Sequence, residues 1–158
     1  MDSRLNNFVK AILDLCFYFG IVAIATAPLY LKYAVNLAIY TLGESTEYSA
    51  INDHYGYAVV SIMIAGTAAL LILYELRKMM KTVTDDNCFV DANVKSLYRM
   101  GTYAFIITGI KLLRCFVYFT PAAVIIAGVF LVAGLFSKVV ARVFDKAVRY
   151  KQENDLTI

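Results

Sequence analysis

The sequence predicts an all-α, polytopic membrane protein: a bundle of four transmembrane helices, the last of which runs on into the cytoplasm. Three observations carry this. Of the 158 residues, 61% are hydrophobic and 17% charged, against about half and about a quarter in ordinary soluble domains. The apolar excess is gathered into four long runs. The lysines and arginines are segregated to alternate connections. No polar stretch is long enough to build a core of its own, so residues 1–158 form a single membrane domain.

The first span covers about residues 8–31. Lys10 ahead of an apolar run, with Ala25-Thr26-Ala27 behind it, imitates a secretory signal. Asp14 interrupts the run, however, Pro28 would follow the cut, and the apolar pattern continues beyond it, so a retained span is expected. Pro28 removes a backbone donor and is expected to kink or end the helix. The outer segment, 32–54, is rich in tyrosine. Tyr30, Tyr33, Tyr40, Tyr48, Tyr55 and Tyr57 suit an interface, where the ring is buried and the hydroxyl stays wet. An interfacial helix near 30–42 followed by a polar loop fits this pattern, as a belt or as a lid over an outward pocket.

The second span covers about 55–76 and the third about 100–119. The fourth, 121–138, has sixteen residues from Pro121 to Phe136 before Lys138, whose amine can snorkel to the interface. About 20 residues cross a hydrocarbon core of about 30 Å. Helix is the state that hydrocarbon allows, because four spans are too few strands for a closed barrel. In the inner loop, 77–99, Asp85, Asp86 and Asn87 favour a turn. Val90 or Asp91 then opens a helix that continues into the third span, with Asp91 favoured by the helix dipole. Pro121 to Gln152 is 32 residues, about 48 Å as one helix, so the tail, 139–158, projects beyond the bilayer. Small residues at four-residue spacing mark packing faces: Ala23 and Ala27, then Ser61, Ala65 and Ala69, then Ala123 and Ala127.

Orientation follows the basic residues. Arg4, Lys10, Arg77, Lys78, Lys81, Lys95, Arg99, Lys138, Arg142, Lys146, Arg149 and Lys151 fall on one side, against Lys32 alone on the other. Both termini are therefore expected in the cytoplasm.

Lys111 and Arg114 stand inside the third span. At 1.5 Å per residue they lie about 18 and about 22 Å past Arg99, on one face. An unpaired cation in hydrocarbon costs roughly 2.5–3.5 kcal/mol at mid-span. Two readings offset that cost: an ion pair with Glu44, Glu47 or Asp53, or an outward site for an anionic ligand or lipid phosphate. Asp14 and Glu75 lie near the inner ends of their spans and are expected to pair with Lys10, Arg77 or Arg99. No carboxylate stands at mid-span, which counts against a proton-coupled antiporter. Lys138, Arg142, Lys146 and Arg149 line one face of the tail, as an anchor to anionic lipid or as a docking surface.

Cys16, Cys88 and Cys115 lack metal-ligand spacing and read as reduced thiols, and the one histidine, His54, cannot hold a metal by itself. With no nucleophile–base pair and no glycine-rich phosphate loop, neither an enzyme nor a cofactor is expected. The basic residues are explained by topology, and direct nucleic-acid binding is not expected.

Two stretches resemble a known family. "DDNCFVDANVKSLYRMG", with Phe89, Asn93, Leu97 and Gly101, and the closing "ENDLTI", with Asn154, Asp155, Leu156 and Thr157, are similar to the small bacterial proteins of the domain of unknown function 2975 family. Cys88 stands where that family has proline, and Tyr98-Arg99 where it has Leu-Arg. The resemblance implies four spans in a bacterial cytoplasmic membrane and a cytosolic helix-turn-helix regulator as partner. On this reading Phe89, Asn93, Leu97, Arg99, Arg142, Lys146, Arg149, Asp155 and Leu156 form the docking surface of a non-enzymatic regulator or sensor. Two other classes stay open: a small transporter or channel subunit acting as a homo-oligomer, and an immunity or peptide-binding protein at the outer face.

Overall fold

A computed structural model describes residues 3–43, 51–84 and 88–155. Its four long helices are α1 (Ser3–Leu42), α2 (Tyr55–Thr84), α3 (Asp91–Val117) and α4 (Pro121–Asp155). Each is long and apolar enough to cross a membrane. Successive helices are antiparallel. The end carrying both termini and the α2–α3 connection is here the basal end, and the end with the α3–α4 connection is the apical one.

α1 does not stop at Pro28. It continues through the proline to Leu42, so the expected interfacial helix near 30–42 is the same helix as the first span. The Tyr55 hydroxyl, at the start of α2, donates to the Pro28 carbonyl at 2.8 Å and ties the two helices at that level. Gly43 then ends the helix with φ +86°, and its N–H reaches the Ile39 carbonyl at 3.0 Å. A left-handed glycine at this position is the common helix stop, because it carries no Cβ to clash.

The helices do not close into a bundle around one central core. Among the described residues, backbone contacts run only between neighbours in the chain: α1 with α2, α2 with α3, and α3 with α4. α1 and α4 are thus the two edges of a row. In water this would strand too much apolar surface, but lipid is as apolar as leucine and imposes no penalty on an uncovered face. The small core between α2 and α3 consists of Ala65, Ala68 and Ile107, flanked by Ile72, Tyr103 and Phe130.

The α3–α4 pair is the tightest. From Thr120, just before α4, along the helix through Ala123, Ala127, Gly134, Ala141 and Val148, buried residues recur at intervals of three, four and seven. That is a 3.5-residue period, the seam of a left-handed supercoiled pair. Small side chains bring the backbones close enough for hydrogen bonds across the seam. The Ser137 hydroxyl donates to the Leu97 carbonyl at 2.7 Å, and the Thr108 hydroxyl lies 3.3 Å from the Ala127 carbonyl. The turn between the helices is set by Tyr118, whose backbone is extended. The Thr120 carbonyl accepts from Ala123 N–H, and Pro121 takes the first helical position, where its missing N–H costs nothing.

Candidate functional site

The α2–α3 register places the site. Glu75 meets Ser96, Ala65 and Ala68 meet Ile107, and His54 meets Tyr118. Residue numbers across this pair sum to about the same value, so Ser61 lies level with Lys111 and Ala58 level with Arg114. On α2 and the turn before it, His54, Tyr57 and Ser61 follow an i, i+3, i+7 spacing. Lys111 and Arg114 on α3, and Tyr118 just past its end, follow the same spacing. Tyr57 and Ser61 share one helical face, as do Lys111 and Arg114, and the register brings the two sets together at the apical end, where His54 meets Tyr118.

Their contacts are aromatic and cationic. The His54 ring stacks on Tyr118 with centroids 5.7 Å apart, and Tyr57 meets Tyr118 edge-on at 6.5 Å. The Arg114 guanidinium lies 4.5 Å over the Tyr118 ring, an attraction worth about 0.5–2 kcal/mol. Four buried side-chain atoms here and beside it have no hydrogen-bond partner among the described residues: Ser61 Oγ, Arg114 Nε, Tyr118 Oη and Thr120 Oγ1. Ser61 is 4% exposed and Thr120 2%. Buried polar groups are nearly always partnered, so four together call for an explanation.

No carboxylate supplies it. Among the described residues neither Lys111 nor Arg114 is in an ion pair. Asp53 is exposed and pairs with neither. Glu44 and Glu47, the other expected counter-ions, lie outside the described residues. Small buried residues flank this level: Ala58 on α2 and Ala123 near the start of α4.

At the basal end, by contrast, Asp14, Glu75 and Asp145 each pair with an arginine. Asp14 accepts from Arg77 Nε, and the Arg77 guanidinium also lies 4.5 Å over Phe17. Glu75, only 2% exposed, accepts from Ser96 Oγ at 2.7 Å and from Arg99 at 3.1 Å. Both carboxylates thus take partners from the set expected of them. Lys138 donates to Thr102 Oγ1 at 2.9 Å, and Arg149 pairs with Asp145.

The residues read as docking candidates separate into two groups. Asn93 and Leu97 are buried. Asn93 Nδ2 donates to Thr82 Oγ1 and to the Cys88 carbonyl, both at 2.7 Å, so it clamps the α2–α3 connection instead of offering itself to a partner. Phe89, Arg99, Arg142, Lys146 and Arg149 are exposed. The Phe89 ring lies 5.5 Å from Phe144 and pins the connection onto α4. The Asp155 side chain and Leu156 lie outside the described residues.

Sequence reasoning found the two cations but not Ser61, Tyr118 or Thr120, and it took Tyr57 for an interfacial tyrosine. The matched i, i+3, i+7 spacings were the available signal. They carry meaning only once the two helices are in register.

Comparison with known proteins adds one result. A search of curated proteins and a search of solved structures found no match. Residues 8–158 match the family model described as "Protein of unknown function (DUF2975)", and a match over nearly the whole chain means that this protein belongs to that family.

Proposed function

We propose that this protein is a non-enzymatic membrane sensor. It binds an anion at the apical site and engages a cytosolic partner at its basal surface. The observation that carries the reading is the uncompensated pair Lys111 and Arg114, set among unpartnered hydroxyls, while the basal carboxylates Asp14, Glu75 and Asp145 each have a cationic partner. Two buried or half-buried cations without counter-ions are costly in hydrocarbon, and an anionic ligand removes that cost. The distribution of the basic residues supports a cytoplasmic side for both termini, where α4 would present Arg142, Lys146 and Arg149 near Phe89, whose ring meets Phe144. The family resemblance suggests a small helix-turn-helix regulator there. The α3–α4 seam, close-packed from Thr108 to Leu97, is the rigid element that links the two ends.

Hydrogen exchange on the reconstituted full chain tests this. Carboxylates and phosphates are added, and exchange is read along residues 138–155. A sensor shows ligand-dependent exchange there, and the response is lost in Arg114→Gln. An anion that binds without altering exchange in that segment overturns the sensing role.

A further inference from the structure

We propose, building on that reading, that the ligand is an anionic amphiphile. Its acidic head sits at Lys111 and Arg114, and its single alkyl chain lies in an apolar groove along α2 and α3. The groove is continuous with the site. Its apical part, about 190 Å³, is lined by Tyr57, Val60, Ser61, Ile64, Ile110 and Leu113. Ser61, level with Lys111, therefore belongs to both the polar cluster and the groove wall. The next part, about 330 Å³, shares Ile64 and continues past Ala68 and Leu71 on α2 and Tyr103 and Ile106 on α3. From Tyr57 to Leu71 the groove follows α2 for about 21 Å at the rise of an α-helix. Leu71 also lines a hollow with Phe17 and Tyr74, so the groove ends against α1.

The polarity is one-ended. Both cations and the unpartnered Ser61, Tyr118 and Thr120 hydroxyls are apical. Below them the lining is apolar apart from Thr67, whose hydroxyl is already bonded to the Met63 carbonyl at 2.7 Å, and the tyrosine tip of Tyr103. A polar head followed by an alkyl chain has that same polarity. The depth agrees with it. Lys111 lies six residues before the end of α3 at Val117, about 9 Å along the helix. A small free anion would have to shed its water to reach that depth with only the cations and hydroxyls to offset the loss. An amphiphile arrives sideways from the bilayer, because among the described residues no helix covers this side of α2 and α3, and burial of its chain supplies the driving force. A carboxylate and a phosphate head satisfy the same donors, so a free fatty acid and a lysophospholipid share this chemistry.

The test is equilibrium binding of radiolabelled palmitate to the full chain in phosphatidylcholine nanodiscs, with empty nanodiscs subtracted. Lysophosphatidate, butyrate and hexadecanol serve as competitors. Palmitate or lysophosphatidate is expected to bind, the stronger of the two identifying the head group, whereas butyrate and hexadecanol fail to compete. Arg114→Gln removes the charge, and Ile64→Trp fills the groove at an exposed position without touching the core. Each should weaken binding by ~tenfold or more. Circular dichroism and monodispersity confirm that the variants fold. Palmitate binding unchanged in Ile64→Trp, or matched by hexadecanol, overturns the proposal. Butyrate competing as well as palmitate also overturns it, while leaving an apical anion sensor intact. If no anion binds, both readings fall together.

Discussion

Gly101 and Gly134 cross so closely that a Cβ on Gly101 would meet the Gly134 carbonyl oxygen at 3.0 Å, and one on Gly134 would meet the Phe105 ring at 2.8 Å. The contact lies in the middle of the α3–α4 seam, between the Ser137–Leu97 and Thr108–Ala127 hydrogen bonds. Gly101→Val must push against backbone, which cannot rotate away. We expect it to destabilise the protein by ~1–3 kcal/mol, the usual cost of overpacking. Gly134→Ala meets mainly a ring that can turn and should cost less. Unfolding in mixed micelles measures both, and equal effects would mean that the crossing is looser than this geometry.

Glu75 is buried, yet its partners differ in kind. Ser96 is buried, while the Arg99 side chain is 54% exposed. An exposed guanidinium is screened and contributes little. Ser96→Ala, which removes a buried hydrogen bond to a charged acceptor, should therefore cost about 1.5–3 kcal/mol, and Arg99→Gln under about 1 kcal/mol. A double-mutant cycle for each pair in the same unfolding assay reads the two couplings directly. The larger coupling should belong to Glu75–Ser96.

Asn93 tests the division between clamp and docking residue. Asn93→Ala would leave the Cys88 carbonyl without its donor, at a cost of about 1–3 kcal/mol. Asn93→Asp should be worse, since an acceptor then faces that carbonyl. The measurement is thermal unfolding with limited proteolysis in the α2–α3 connection. Arg142→Glu and Lys146→Glu, on an exposed face, should leave stability within about 0.5 kcal/mol and act only on partner binding. If Asn93→Ala unfolds normally and loses only a partner, the clamp assignment is wrong.

What was legible in the sequence follows from what is local. The start of α2 at Tyr55, the opening of α3 at Asp91 and the single helix from Pro121 to Asp155 are set by hydrophobic run length, turn residues and a proline at the first helical position. The length of α1 was misread, because Pro28 removes one donor but a lipid-facing helix has strong reasons to continue: every backbone group left unpaired in hydrocarbon is costly. The row arrangement was not legible either. The notion of a closed bundle rests on hiding apolar faces, and that force is missing in lipid. Nor could the pairing of Ser61 with Lys111 be read, since it depends on the register of two helices whose residues lie far apart in the chain. Dispersed glycines gave no hint that Gly101 and Gly134 would meet.

Ser61 and Tyr118 separate a binding role from a structural one. A buried hydroxyl without a partner has lost its hydration and gained nothing in return, which costs roughly 1–3 kcal/mol. Ser61→Ala and Tyr118→Phe remove that group and keep the packing. The phenylalanine ring also keeps its place under Arg114 and against His54. The ligand-free variants should therefore be at least as stable as the parent, with unfolding midpoints unchanged or raised. Ligand affinity should move the other way, because the hydroxyls that were idle without ligand are the ones that would solvate an acidic head group. Residues serving only the fold would show the opposite: lower stability, with binding altered only to the extent that folding is. Measuring unfolding and palmitate binding on the same preparations decides between them, since only a site built for a ligand gains stability as it loses affinity.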